Sequence, residues 1–181
     1  MLDYRIFRSP SDVDQWVSQI YSEQQLKELS IHNDMDSPLS LYKGNGHKAI
    51  NYWIRKKLSK YLVQYRIPEL NQMLCKYSIP ENLTVFRFVD WKEFLILHWN
   101  TLFGRSYAYP GFLSTTLLKD YYSMENIRNG RLVIEFQVDK GCSGVYLPEV
   151  VKENPEYEIL FPHHCIIKRT GWAKYAITRH V

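Results

Sequence analysis

The chain has 181 residues, a length that predicts one domain, and 45% of them are hydrophobic, including 14 Tyr, 8 Phe and 5 Trp. Those figures exclude a disordered chain or a collagen-like repeat, and three cysteines (Cys75, Cys142, Cys165) do not make a disulfide framework. The formal charge of +4 is uneven: residues 1–40 carry seven acids against three bases, whereas residues 41–76 carry eight bases against Glu69 alone.

In chain order, Ser9-Pro10 reads as an N-cap followed by a first-turn proline, with Asp12 at the positive end of the helix dipole. Val13, Trp16, Val17, Ile20 and Tyr21 then fall at helical spacing on one face. Ile50, Trp53, Ile54, Leu58, Tyr61 and Leu62 repeat the pattern, and a shorter helix is expected from Pro68 to about Tyr77, with Leu70, Met73 and Leu74 inward. The bases Lys56, Lys57 and Lys60 lie off the stripe, either as a solvated helix face or as a basic surface for a phosphate-bearing cofactor or a nucleic acid.

After Pro80 the texture turns to strand. Leu83–Val89 alternates so that Val85, Arg87 and Val89 share a face, and a short helix follows over Trp91–Trp99. A loop rich in Gly, Tyr and Pro leads to strands expected over Gly111–Leu117, Arg131–Val138, Gly144–Leu147, Glu158–Phe161, Cys165–Arg169 and Lys174–His180. Asn129-Gly130 is a turn signal before the Arg131 strand. Helices followed by a run of strands argue an α+β fold. The reading is one domain over 1–181, with a helical part over 1–80 packed on a mostly antiparallel, two-sheet β core over 81–181.

Apolar runs such as Phe94–Leu97 are far too short to span a bilayer, and no membrane partner is expected. The amino terminus lacks the basic and apolar regions of a cleavable signal peptide. A cytoplasmic site of action is therefore expected, reached by synthesis there or by delivery through another system.

Several catalytic signatures are missing from the sequence, including GxSxG, HExxH, CxxC and a Walker-type phosphate loop. In His163-His164-Cys165, neighbours on a strand point to opposite faces and cannot share one metal ion, so none is expected. Cys142, between Gly141 and Ser143, reads as a turn cysteine. Three features matter by their order: Arg87 inside an apolar strand, the triplet Ser114-Thr115-Thr116 on a later strand, and Glu156 with Glu158 opening a strand after a Pro-containing loop. A charge on a half-buried strand needs a partner, so the arginine and the carboxylates frame a polar cleft between two sheet segments.

At these residues the chain resembles a toxin-type mono-ADP-ribosyltransferase with the motif order Arg, Ser-Thr-Ser, Glu-x-Glu. The resemblance runs through "LTVFRFV", "GFLSTTLL" and "ENPEYEILFP", with "INYWIRKKL" similar to the family's Ile-Asn-x-x-Leu-Arg helix, over roughly residues 40 to 181. It implies NAD as co-substrate and no metal. It implies that Arg87 binds the NAD phosphates, a role suited to a planar fork of donors. Ser114 would orient the catalytic glutamate and contact the nicotinamide ribose, Thr115 would support the nucleotide pocket, and Thr116 replaces the usual serine while keeping the hydroxyl. Phe88 stands where the family often has Gly or Arg, a departure at the nicotinamide-amide contact.

The same resemblance makes Glu158 the catalytic carboxylate, bonded to the ribose 2′-hydroxyl and stabilising positive charge as nicotinamide leaves. Glu156 would act on the acceptor as a general base, with Tyr157 turned to the other face by strand alternation. A loop over Leu118–Gly130 would close over nicotinamide, with Tyr121 or Tyr122 stacking and Arg128 as a second phosphate contact. A complete Glu-x-Glu implies transfer of ADP-ribose to a protein arginine by an intracellular toxin or effector, with an antitoxin or immunity protein as a further partner. Two alternatives stay open: transfer to a nucleobase of RNA or DNA, which the basic 41–76 stretch and the aromatics favour, and a catalytically inactive NAD-fold binding module, which the intact Arg87, Ser114 and Glu158 disfavour.

Overall fold

The computed structural model describes residues 3–29, 38–42, 50–52, 61–120, 129–148 and 156–178. Ser9 caps helix α1 (Pro10–Ile20) reciprocally: its hydroxyl accepts the Asp12 N–H at 3.2 Å, and the Asp12 carboxylate accepts the Ser9 N–H at 3.1 Å. Two donors that a helix start leaves open are thereby satisfied. Val13, Trp16 and Val17 are buried as the spacing predicts. The Trp16 ring meets Phe7, Tyr21 and Tyr146 at centroid distances of 5.3, 6.2 and 6.4 Å, which seats α1 on the β core. Ile20, expected on the same stripe, is exposed at the end of the helix.

Helices α2 (Glu23–Leu29) and α3 (Pro38–Leu41) follow, then helical residues 50–52 and helix α4 (Tyr61–Cys75). The helix expected to begin at Pro68 is already formed over Tyr61–Cys75 and carries the proline inside it. Proline forfeits one i→i−4 hydrogen bond there. Burial of Leu70 and Leu74 in the core holds the continuous helix despite that loss. The rest of the "INYWIRKKL" segment beyond Tyr52, the cations Lys43, Lys48, Arg55, Lys56, Lys57 and Lys60, and the expected ligands Tyr121, Tyr122 and Arg128 lie outside the described residues.

The β half contains β1 (Leu83–Val89), helix α5 (Trp91–Asn100), a 3-10 turn (Leu102–Gly104), β2 (Ser106–Ala108), β3 (Leu113–Thr116), β4 (Leu132–Val138), β5 (Val145–Leu147), β6 (Glu158–Phe161), β7 (Ile166–Gly171) and β8 (Lys174–Thr178). Strands β1 and β6 have the bounds expected from sequence; β3, β4, β5 and β7 differ at their ends by a residue or two, and the expected end of β8 at His180 lies outside the described residues. Strand β2 went unexpected, because three residues in a Tyr- and Pro-rich loop carry no alternation; pairing with β7 makes it a strand.

The order across the sheet is β2-β7-β8-β4-β1-β3-β6-β5, antiparallel throughout except for the β4–β8 pair. Five strands end on β1 and three begin on β3; a single residue pair, Phe86–Thr116, joins the two segments. The α+β architecture is present, but the expected two sheets are one eight-stranded sheet, because the Phe86–Thr116 pair joins β1 to β3; the ladder is thinnest at that seam. Strand β6 is buried along its whole length, which explains its unbroken apolar text after Glu158. Gly144 lies so close beneath it that a Cβ would come 2.9 Å from the Phe161 ring.

Candidate active site

Arg87 leaves the middle of β1 beside that seam. Its Nε donates to Glu93 Oε1 at 3.0 Å, its Nη2 to Glu93 Oε2 at 3.4 Å, and its Nη1 to the Ser114 carbonyl at 2.7 Å. Glu93 is placed by the N-cap of α5, where its backbone N–H donates to Asp90 Oδ1 at 2.7 Å, and it accepts the Tyr109 hydroxyl at 2.7 Å. The two charged side chains are only 20% and 21% exposed, an environment that demands close pairing. Burial by itself would lower the Arg87 pKa, but Tyr109 and Glu93 more than offset it, so the guanidinium is held above its ordinary value. A guanidinium has five N–H groups. Three are used in this network, which leaves one N–H on each terminal nitrogen for a ligand.

The arginine's partner is thus a helix glutamate, not the carboxylates at the start of β6. Sequence reading missed Glu93 and Tyr109. The spacing Asp90-x-x-Glu93 after a strand is a visible capping signal, but nothing local says that the cap residue also reaches back to β1.

Strand β3 presents the hydroxyl triplet by alternation. Ser114 and Thr116 are half-buried, and Thr115 is buried with its Oγ1 donating to the Ile159 carbonyl at 3.1 Å. Thr116 Oγ1 donates to the Glu156 carbonyl at 2.9 Å and accepts the Leu118 N–H at 3.2 Å. The threonine that replaces the usual serine therefore staples the segment that carries the first glutamate. Ser114 is opposite Leu160, and Thr116 is opposite Glu158, in the β3–β6 register.

Glu158 is 5% exposed on the first residue of β6, whereas Glu156 is exposed just before it. Strand alternation does not account for their shared direction. Tyr157 has φ 45°, a left-handed conformation that is uncommon outside glycine, and its ring is buried. Its carbonyl accepts the Leu117 N–H at 3.0 Å, so a kink rather than a pleat brings both carboxylates to one cleft.

Beneath this end, Asn51 Oδ1 accepts the Phe112 N–H at 2.9 Å just before β3, and Asn51 Nδ2 donates to the Tyr42 hydroxyl at 3.3 Å. Burial raises the Tyr42 pKa, and the nearby Glu158 carboxylate raises it further, so it remains a neutral phenol. Cys142 and Cys165 are both buried, and burial pushes the Cys165 thiol up to about 12, which disfavours its thiolate.

Together these groups surround a cleft of about 380 Å³ lined by Arg87, Phe88, Ser114, Thr115, Thr116, Glu156 and Glu158, with Phe86, Asn129 and Arg131 added. All the expected site residues within the described chain meet there. Arg131, which the sequence reading did not single out, brings a second cation to the cleft in the described structure.

The chain matches the ADP-ribosyltransferase exoenzyme family over residues 13–175. It belongs to that family. It is thus an NAD-dependent mono-ADP-ribosyltransferase of the toxin type. Among solved structures, the fold is similar to Plx2a, an ADP-ribosyltransferase toxin from Paenibacillus larvae (TM-score 0.70, 20% identity, 98% of this chain and 100% of that one). It is also similar to the C3 exoenzyme of Clostridium limosum (TM-score 0.72, 15% identity, 98% of each chain) and to C3stau2 from S. aureus, solved with NAD (TM-score 0.61, 17% identity, 97% of each chain). No curated protein matches this transferase in sequence.

Proposed function

We propose that the transferase moves ADP-ribose from NAD to an arginine side chain of a protein, with release of nicotinamide, and that it does so inside a cell as a toxin or effector. One observation carries the arginine reading: Glu156 and Glu158 line the same cleft although only Glu158 belongs to the strand. NAD supplies an activated glycosidic bond from ribose C1′ to the nicotinamide nitrogen. The two outward N–H groups of Arg87, with Arg131 nearby, hold the diphosphate oxygens, and Phe88 borders the nicotinamide side.

Glu158, buried and fixed on β6, accepts from a ribose hydroxyl and stabilises the positive charge that develops at C1′ as the bond breaks. Ser114 orients it, and Thr115 and Thr116 hold the strands and the glutamate segment around it. The nicotinamide nitrogen leaves with the bonding electron pair. A guanidinium nitrogen of the acceptor forms the new bond to C1′, and Glu156, open to solvent, takes the proton that this nitrogen loses.

The test is transfer from labelled NAD to total cell protein and, separately, to total nucleic acid. Label is expected on protein, with acid-stable, hydroxylamine-labile linkage to arginine. Label confined to RNA or DNA would overturn the arginine assignment and favour the base-modifying alternative suggested by the basic 41–76 stretch.

A further inference from the structure

The inner side of α5 holds Glu93 against Arg87, but its outer side is open and apolar except for the exposed Lys92 within it. At 100° per residue, Trp91, Leu95, Ile96 and Trp99 lie within about 140° of the helix circumference, and all four are exposed. Trp99 is 65% exposed, Phe103 in the following turn is 92% exposed, and Trp172 in the β7–β8 turn is 71% exposed. These are not scattered side chains. Trp172 packs against Phe94 and His98 at 5.5 and 5.6 Å between centroids, Trp91 reaches the same Phe94 at 5.7 Å, and Trp99 reaches His98 at 6.4 Å. Three exposed tryptophans linked through Phe94 and His98, with exposed Leu95 and Ile96 on the same helix and Phe103 in the next turn, form the kind of apolar surface that marks an interaction site.

We propose that this face docks the transferase on an anionic lipid surface. Its chemistry points there in three ways. Every exposed ionisable side chain from 91 to 108 is a cation, Lys92 or Arg105, and the neighbouring acid Asp90 is engaged in capping α5. Indole combines an apolar body with an N–H that seeks a polar partner, which suits the headgroup boundary. The rings are also highly exposed, and neither the NAD cleft nor a cavity of about 700 Å³ beside Arg8 and Lys119 includes any of them. Phe103 is presented outward from a left-handed backbone, φ 57°, a strained conformation for a residue with a side chain.

A second copy of this chain is the less suited occupant, since a two-fold contact would gather two copies of Lys92 and Arg105 with no exposed acid from residues 91–108 to pair them. No helix among the described residues is long and apolar enough to cross a membrane, so the contact is peripheral. This departs from the expectation, drawn from hydropathy alone, that the chain has no membrane partner.

Vesicle co-sedimentation tests the proposal, with phosphatidylcholine vesicles made with and without phosphatidylserine. The wild-type chain is expected to sediment with the phosphatidylserine vesicles and to shift its tryptophan emission to the blue, and added salt is expected to weaken the binding. A Trp99→Ser, Phe103→Ser double variant should bind at least ~10-fold more weakly, from the loss of inserted apolar surface. Lys92→Glu should weaken binding to the anionic vesicles selectively. Both variants should hydrolyse NAD in solution at the wild-type rate, because none of the three residues touches the cleft.

Absence of wild-type binding, binding indifferent to phosphatidylserine, or full binding by the double variant would each overturn the proposal. So would a wild-type dimer in size-exclusion chromatography that the double variant converts to a monomer, since a second copy would then be what covers the patch.

Discussion

The arginine end and the glutamate end of the cleft are built in opposite ways. At the arginine end a single guanidinium is tied by three hydrogen bonds to a helix glutamate and a strand carbonyl, and the glutamate is tied in turn to a cap and a tyrosine. At the other end Glu158 is locked in a buried strand, while Glu156 stands in solvent beyond a left-handed residue. A site that must bind one invariant molecule benefits from a preset network. A site that must also receive a separate acceptor benefits from one carboxylate held still and one exposed to it.

That contrast can be broken most severely at Glu158. Glu158→Gln keeps the shape but removes the charge, and it should lower kcat by ~10³-fold for both NAD hydrolysis and transfer; nicotinamide release within a few-fold of wild type would remove Glu158 from the chemistry. Glu156→Gln should separate the two reactions. Transfer to protein is expected to fall ~10²-fold, as for loss of a general base, with NAD hydrolysis little changed. Equal losses in both assays would show that the two carboxylates share one role.

Smaller effects are expected at the arginine end, because binding energy there is distributed. Arg87→Lys retains the charge but loses the fork, and the KM for NAD should rise ~10-fold with a smaller change in kcat. A kcat effect alone would place Arg87 outside diphosphate binding. Tyr109→Phe removes one hydrogen bond to Glu93 and should cost about 1 kcal/mol in thermal or urea unfolding, with the KM for NAD rising only a few-fold.

Because the Arg87 pKa is raised in the folded state, its ion pair stabilises the fold below the unfolded value and is lost only as pH climbs through the folded one. Both lie above about 12, so NAD affinity and stability should show no basic limb from this residue. A titration in KM between pH 6 and 9 would assign that limb elsewhere.

Much of this was legible in the linear text. The Ser9 cap and its apolar stripe predict α1, and strict local signals predict β1, β6 and the Asn129-Gly130 turn, where Gly130 has φ 68°. Arg87, Ser114 and Glu158 were readable as one site because their types and order are unusual in apolar strands. Other features were not readable. Pro68 inside α4 depends on burial of Leu70 and Leu74, β2 exists only through pairing with β7, and the shared direction of Glu156 and Glu158 rests on the kink at Tyr157.

By itself the sequence determined the helix caps, the strand texts and the family, since periodicity, capping chemistry and motif order are all local properties of the chain. Only the tertiary structure decided who meets whom: Arg87 with Ser114 across 27 positions, Thr115 with Ile159 across 44, and Arg87 with a glutamate on the adjacent helix. Those choices depend on strand register and on the thin seam at Phe86–Thr116. Desolvation makes each such partner obligatory, but it does not name the partner until the sheet has closed.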